Sequence, residues 1–252
     1  AEYAHGLQGE VERNAFKLRG ILNGIDVKSY DPATDPALFA PYSAENPAGK
    51  KVCKAELQKM LGLPVRENVP VVAMISRLVA HKGLDLVRAA IEELLADDVQ
   101  FVLLGTGDSE YESYFKDLAN RYKGKAVSII AFNGDLSRKI YSGADIFLMP
   151  SKSEPCGLSQ MIASRYLTVP VVRETGGLYD SIKPYGAGGN GFTFAAYNAG
   201  DMLYVLREAV SLYKNKPEWQ KLMIKAGTTD FSWQRSAEEY KKLYTDTLAL
   251  LK

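Results

Sequence analysis

Short continuous runs of apolar residues recur along the chain, and most are followed by a longer stretch with apolar residues at helical spacing. The short runs lie at 69–76, 99–105, 126–132, 145–150, 169–174 and 191–196. Apolar runs of this length without polar alternation are typical of strands buried on both faces of a sheet. Helical spacing predicts helices at 83–96, 109–124, 136–144, 157–167, 199–215 and 236–251.

The alternation of strands with helices indicates βαβ units, in which consecutive strands are parallel and joined by a helix. Right-handed crossovers then predict an α/β fold with a Rossmann-like, doubly wound parallel sheet. Residues 1–68 are less regular. Within them, the segment 30–49 carries four prolines, and we predict an extended connector that lies on the surface.

Composition and charge argue against several classes of protein. The formal net charge of +1 gives no reason to expect a nucleic acid or an acidic membrane as partner. No apolar run reaches the roughly 18 residues of a membrane span. The N-terminus lacks the basic and apolar regions of a signal peptide. The two cysteines are far apart in sequence, which argues against a disulfide framework and favours a reducing compartment.

Two neighbouring predicted strands end in loops that combine glycines with polar residues. The first loop carries Glu154, Cys156, Gly157 and Leu158, and the second carries Thr175, Gly176 and Gly177. Ligands bind beyond the carboxyl ends of the strands in an open parallel sheet, so we expect the two loops to meet at one edge. Gly157 and Leu158 are predicted to open a helix, whose free amides favour an anion such as phosphate. The alternative is an ordinary strand–turn–helix connection with turn glycines.

Basic residues follow the first predicted central strand and are expected at the same edge. Arg77 and Lys82 lie in the segment 76–85, and two cations there would complement a diphosphate. A solvated basic loop is the alternative. The segment 105–110, Gly-Thr-Gly-Asp-Ser-Glu, lacks the third glycine of a dinucleotide-binding fingerprint and adds only a loop that a ligand could approach closely.

Four segments together resemble the bacterial glycogen synthases and plant starch synthases. They are LNGIDVKSYDPATDP (22–36), SRLVAHKGLDLV (76–87), PSKSEPCGLSQMIASRYLTVPVVRETGGLYD (150–180) and FSWQRSAEEYKKLY (231–244). These enzymes are retaining glucosyltransferases that most often use ADP-glucose, and they have two Rossmann-like halves in the GT-B arrangement. The resemblance covers the C-terminal half only. The family's N-terminal lysine-and-double-glycine motif and its catalytic His and Asp have no counterpart here.

The resemblance therefore implies a domain organisation and a set of partners. Residues 1–22 would be a remnant of the interdomain linker, and residues 23–252 would be the C-terminal nucleotide-sugar-binding domain, without the N-terminal catalytic domain. The partners would be ADP-glucose, an α-1,4-glucan acceptor and that missing domain. No cofactor and no metal ion are expected, and we expect the isolated domain to be inactive. The expected compartment is the bacterial cytoplasm, or a plastid if the source is a plant.

The resemblance also implies a role for each candidate residue of the site. Arg77 and Lys82 would contact the donor diphosphate and stabilise the charge on the leaving group. Glu154 would hold hydroxyls of the donor glucose and steady the positive sugar ring, with retention by front-face attack. The amides of Gly157 and Leu158 would bind phosphate. The ring of Phe132 would stack on adenine. The remaining positions would line the pocket: Cys156, Thr175, Gly176 and Gly177.

Two residues depart from the family pattern. The sequence also leaves two functions open as alternatives to a glucan synthase. His81 stands where the family commonly has Gln, and Leu167 replaces a common Gly, which puts the local turn geometry in question. Another retaining glycosyltransferase, with a different sugar nucleotide, would keep Arg77, Lys82 and Glu154. A non-catalytic glucan-binding or protein-binding module could use tyrosines of the C-terminal helices, although their helical spacing favours an ordinary amphipathic role.

Overall fold

A computed structural model describes residues 6–250, which fold around one six-stranded sheet. The strands are β1 (Val71–Ile75), β2 (Gln100–Leu104), β3 (Ala126–Ile129), β4 (Ile146–Met149), β5 (Val169–Arg173) and β6 (Phe192–Phe194). All neighbouring strands are parallel, in the order β3-β2-β1-β4-β5-β6. The prediction of a Rossmann-like, doubly wound sheet is confirmed. The strand order reverses between β1 and β4, which is where such sheets bind ligands.

Ten α-helices occur between residues 6 and 250. They are α1 (Gln8–Arg13), α2 (Ala48–Met60), α3 (Leu84–Ala96), α4 (Ser109–Arg121), α5 (Gly134–Gly143), α6 (Ser159–Arg165), α7 (Gly176–Ser181), α8 (Ala199–Lys214), α9 (Lys216–Gly227) and α10 (Trp233–Ala249). Four of them, α1, α2, α7 and α9, were not predicted from the sequence. Among the helices described, none is long and apolar enough to cross a membrane.

The sheet is covered by a hydrophobic layer on each face. Successive residues of β1 alternate between the layers: Val71 and Ala73 belong to one cluster, and Val72 and Met74 to the other. All four side chains are buried, which explains the continuous apolar run in the sequence. Helices α3, α4 and α8 cover one face, whereas α2, α5 and α6 cover the other.

At the amino ends of the strands, helix α2 carries two lysines into the interior. Lys54 Nζ lies 2.7 Å from Asp145 Oδ2 and also donates to Val69 O and the Tyr213 hydroxyl, at 2.7 and 2.6 Å. The second lysine, Lys50, donates through Nζ to three oxygens: Ser142 O at 3.1 Å, Tyr166 O at 2.8 Å and Thr168 Oγ1 at 2.8 Å. Its burial lowers its pKa to about 7.

The proline-rich connector is more firmly held than the sequence indicates. It contains no helix or strand over 30–47, as expected. However, Tyr42 is buried and donates to Tyr166 O at 2.9 Å, and the Asp35 carboxylate accepts from the hydroxyl of Tyr166 and from Arg138. Because buried side chains tie it to α5 and α6, the connector is part of the packed domain and not a loose surface segment.

The turn after α6 contains Leu167, the position at which the sequence left the turn geometry in question. Leu167 has φ +57°, and no other non-glycine residue between 6 and 250 has a positive φ. The amides of Leu167 and Thr168 donate to Ser164 O and Ala163 O, the hydrogen bonds of a Schellman helix end. The Leu167 side chain is buried and fills the space where a Cβ on Gly227 would lie. Tertiary packing therefore holds a leucine where a glycine would be unstrained.

Candidate functional site at the carboxyl edge of the sheet

The loops after β1 and β2 pack against each other through their backbones. Leu78 N donates to Thr106 O and Asp108 N donates to Leu78 O, both at 2.8 Å. A Cβ on Gly105 would overlap Ser76 O, and one on Gly107 would overlap Leu78 O. These glycines therefore serve the contact between two loops, not the close approach of a ligand that the sequence suggested for the segment 105–110.

Lys82 and Glu154 meet at this edge, from the ends of β1 and β4. Lys82 Nζ lies 2.5 Å from Glu154 Oε2, and Ser151 Oγ donates to the same oxygen at 3.3 Å. Gly83 adopts φ +75°, and its Cα lies so close to Pro150 O that a side chain would not fit. This contact brings the turn that carries Lys82 against the end of β4. The result is an ion pair across the switch point, in which Glu154 is only 9% exposed and Lys82 is half-buried.

Arg77 lies two residues after the end of β1 and is exposed. Within the part of the chain that the structure describes, its side chain makes no hydrogen bond or ion pair. Its backbone is held, because Arg77 O accepts from Val79 N at 3.1 Å. The structure thus shows a loop with a held backbone and an exposed guanidinium, at the same edge of the sheet as the Lys82–Glu154 pair.

The two loops that contain Glu154 and the double glycine meet as predicted. Gly177 N donates to Glu154 O at 3.1 Å, and Cβ atoms on Gly176 or Gly177 would overlap Glu154 O or Cys156 O. Thr175 is half-buried at the N-cap position of α7. Gly177 is buried and its amide already has an acceptor, whereas Gly176 is exposed.

The prediction that Gly157 and Leu158 open a helix is wrong by two residues. Helix α6 begins at Ser159, and Leu158 occupies its N-cap position. The reason is the backbone of Gly157, whose φ of +73° is left-handed and cannot belong to a right-handed helix. Cys156 is half-buried, and Leu158 is 45% exposed. The amides of residues 157 and 158 therefore belong to a loop in front of α6.

Phe132 lies in the loop between β3 and α5 and is 98% exposed. Strand β3 ends at Ile129, three residues before the end of the apolar run 126–132 that predicted it. Asn133 then caps α5, because its side chain accepts a hydrogen bond from Leu136 N. Phe132 is therefore not a core residue at the end of a strand. An aromatic ring in solvent at the carboxyl edge is available to stack on a planar ligand group.

Sequence reasoning missed Arg173 at the end of β5. Its guanidinium donates to Lys152 O at 2.8 Å, in the loop that carries Glu154, and lies 5.2 Å from the ring centre of Tyr197. Tyr197 in turn donates to Asp85 at 2.5 Å, and burial with this hydrogen bond raises its pKa. The only signal in the sequence is an arginine at the end of an otherwise apolar strand.

His81, the departure from the family pattern, is exposed in the 3-10 turn Ala80–Lys82, and its carbonyl accepts from Lys152 N at 2.9 Å. The other histidine, His5, lies outside the described residues. Among residues 6–250, no three His, Cys, Asp or Glu side chains come together as the ligands of a metal ion would. The groups that the structure brings to this edge are cations, the buried carboxylate of Glu154 and backbone amides.

Comparison with known proteins assigns the class. Residues 59–230 match the family described as "Glycosyl transferases group 1", and the chain belongs to this family of glycosyltransferases. Its relatives include the glycogen synthase of Kosmotoga olearia, 50% identical over 98% of this chain and 52% of the relative. The glycogen synthase of Bacillus cereus (strain Q1) is 46% identical over 96% of this chain and 52% of the relative. The predicted resemblance to glycogen synthases is confirmed.

Solved structures give the same assignment. The catalytic domain of starch synthase IV from Arabidopsis thaliana, bound to ADP and acarbose, superposes with a TM-score of 0.92 at 38% identity. The match covers 99% of this chain and 53% of that one. Sucrose-phosphate synthase from Thermosynechococcus elongatus, at 19% identity and a TM-score of 0.67, shares the fold. The chain spans about half the length of the relatives it matches, and it has the fold of one half of a GT-B glycosyltransferase.

Proposed function

We propose that this chain is the donor-binding half of an α-1,4-glucan synthase, which transfers glucose from ADP-glucose to the non-reducing end of the glucan with retention. The observation that carries the proposal is the charge arrangement at the switch point. Arg77, which has no partner among the described residues, and the ion pair of Lys82 and Glu154 lie at the edge where this type of sheet binds ligands. The ADP bound to the similar starch synthase supports the choice of nucleotide.

The two cations are suited to stabilise the departure of ADP. Cleavage of the glucose–phosphate bond places negative charge on the leaving diphosphate, and cations fixed before the reaction lower the energy of that transition state. Arg77 has no competing partner among the described residues, and Lys82 has one, Glu154. When Lys82 turns to the phosphate, the carboxylate of Glu154 becomes available to accept hydrogen bonds from hydroxyls of the glucose.

The neutral parts of the site would hold the nucleotide. Phe132 would stack on adenine, since its ring is 98% exposed at this edge. The amides of Gly157 and Leu158 would bind a phosphate, and Cys156, Thr175 and Gly176 would line the pocket. Gly177 would act through its contact with Glu154 O and not through its own amide.

Exposed apolar side chains on two segments, helix α10 and the N-terminal segment, indicate where the other half of the enzyme would lie. Helix α10 is 17 residues long, yet only Ser236 is buried. Its exposed side chains include Tyr240, Tyr244 and Leu248, which are spaced by four residues and share one face. The N-terminal segment adds Leu7, Val11, Phe16 and Leu18. Exposed apolar side chains that share one face of a helix are typical of an interface, and we assign these side chains to the contact with the N-terminal domain. The boundary at residue 22 stays a prediction.

The half-site also predicts that the isolated chain binds nucleotide without transferring glucose. Calorimetric titration of the 252-residue chain with ADP, and with UDP beside it, tests the proposal. We expect saturable binding of ADP and much weaker binding of UDP. Equal binding of both nucleotides would favour a different sugar nucleotide as donor. Failure to bind ADP, or glucose transfer at the rate of a complete synthase, would contradict the proposal.

A further inference from the structure

A fully buried glutamine lies beneath the loop proposed to bind phosphate. Gln160, in the first turn of α6, has no exposed surface. Its Nε2 donates to the carbonyl oxygens of Cys156 and Gly157, at 3.2 and 2.9 Å. It also donates to Ser181 Oγ at 3.0 Å, and Ser181 Oγ donates to Gly177 O at 2.6 Å. One side chain thus connects the two loops that meet at the site.

The orientation of this amide group is set by its surroundings. If oxygen and nitrogen were exchanged, Gln160 Oε1 would face two carbonyl oxygens, which is repulsive. In the orientation observed, Oε1 has no hydrogen-bond donor within residues 6–250. A buried acceptor without a donor costs free energy. The two bonds that Nε2 makes to the loop are thus retained although the other end of the amide is left unsatisfied.

These two bonds determine where the loop's amides point. In a trans peptide unit the C=O and the following N–H point in opposite directions, and residues 6–250 contain no cis peptide bond. Since Gln160 draws the carbonyls of Cys156 and Gly157 inward, the amides of Gly157 and Leu158 are directed away from the core. Neither amide donates a hydrogen bond to any described acceptor.

The glycine at position 157 is part of the same arrangement. Its φ of +73° sets the direction of the second peptide unit. A Cβ at this position would lie 2.6 Å from Gln160 Oε1, so a side chain would displace the glutamine from its place under the loop. Gly157 and Gln160 therefore form one unit, in which the glycine provides the backbone conformation and the glutamine fixes it.

We propose that Gln160 is a positioning residue, which holds two peptide units so that the amides of Gly157 and Leu158 face the diphosphate of the donor. The inference rests on the proposed function and adds a residue that does not itself touch the ligand. This role differs from general stabilisation of the fold. If Gln160 acts in this way, its replacement lowers the affinity for the phosphates and not the affinity for the nucleoside.

The test compares the binding of ADP with that of adenosine. Gln160→Met keeps the length of the side chain and removes both donors. We expect its affinity for ADP to fall about tenfold while its affinity for adenosine stays within twofold of wild type. The matched control is Gln58→Met, since Gln58 is also buried and donates to Gln100 Oε1 at 2.7 Å, but at the amino edge. The control is expected to leave both affinities unchanged.

A second variant gives a pH signature that loss of packing would not produce. In Gln160→Glu, the ionised carboxylate repels the two carbonyls, whereas its protonated form can donate one hydrogen bond. We expect the affinity for ADP, relative to wild type, to recover as the pH is lowered from 8 to 5.5. An unchanged ratio of ADP to adenosine affinity in Gln160→Met, or a relative affinity of Gln160→Glu that does not vary with pH, would overturn the inference alone. A wild-type chain that binds no ADP would overturn the proposed function with it.

Discussion

The two ends of the sheet both carry charged side chains, but they use them in opposite ways. At the amino edge, Lys50, Lys54 and Asp145 are buried, and protein oxygens lie within hydrogen-bond distance of both ammonium groups. At the carboxyl edge, Arg77 has no partner among the described residues and Lys82 has only Glu154. Cations whose hydrogen bonds are all made within the protein serve the fold. Cations whose N–H donors are not all used within the protein are available to bind a ligand. The hydrogen bonding of a charged side chain, and not the charge itself, thus distinguishes a structural role from a functional one.

The largest effect that separates the two edges is expected from Asp145→Ala. The change leaves the charge of Lys54 buried without its counterion and removes the acceptor of Val71 N, which donates to Asp145 Oδ2 at 2.8 Å. Removing one partner of a buried ion pair costs about 3–5 kcal/mol. Urea denaturation of the purified chain measures this free energy of unfolding. A loss of less than about 1 kcal/mol would show that the amino edge does not depend on the pair.

Arg77→Ala should have the reverse profile. We expect the affinity for ADP to fall by about 1.5–3 kcal/mol, the range of a charge-assisted hydrogen bond, measured by calorimetry. The free energy of unfolding should change by no more than about 0.5 kcal/mol, because the side chain is exposed and unpaired. Arg88→Ala is the control, since Arg88 is exposed and pairs with Glu110 on the neighbouring helix. Unchanged affinity for ADP would remove Arg77 from the site.

The smallest effect is a dependence of stability on pH that comes from Lys50. Its pKa is lowered to about 7 in the folded chain, from 10.5, so between these values the unfolded state binds more protons. The free energy of unfolding should therefore rise with pH above 7, by at most about 1.4 kcal/mol per unit. Urea denaturation at pH 7, 8 and 9 measures the slope. Lys50→Met should flatten it, and an equal slope in both proteins would contradict the assignment.

The sequence predicted the sheet well because its four inner strands, β2, β1, β4 and β5, are buried along most of their length. Each of these strands then appears as a mostly apolar run, and the helices between the runs indicate a parallel sheet. Helix α2 was missed for the opposite reason. Its buried face includes Lys50, Lys54 and Gln58 beside Cys53 and Leu57, so the apolar periodicity is broken where the helix packs. Buried polar residues hide a helix from any argument based on hydrophobic spacing.

The candidate site likewise has features that could be predicted from the sequence and features that could not. The two loops that carry Glu154 and the double glycine were predicted to meet, because the carboxyl ends of neighbouring parallel strands must be adjacent. The start of α6 could not be predicted, since it depends on the left-handed backbone of Gly157. The contribution of Gln160 was equally hidden. Its hydrogen bonds go to carbonyl oxygens, which every residue has and no sequence pattern reveals.

The left-handed turn at Leu167 has a consequence for how the domain can evolve. The leucine occupies the space that a side chain at Gly227 would need, so a mutation of Gly227 has no room while the leucine remains. A glycine at 167 would relieve the backbone but leave a hole beside α9. The residues at the two positions are therefore coupled, and we expect the side chain at 167 and the room at 227 to vary together among related chains.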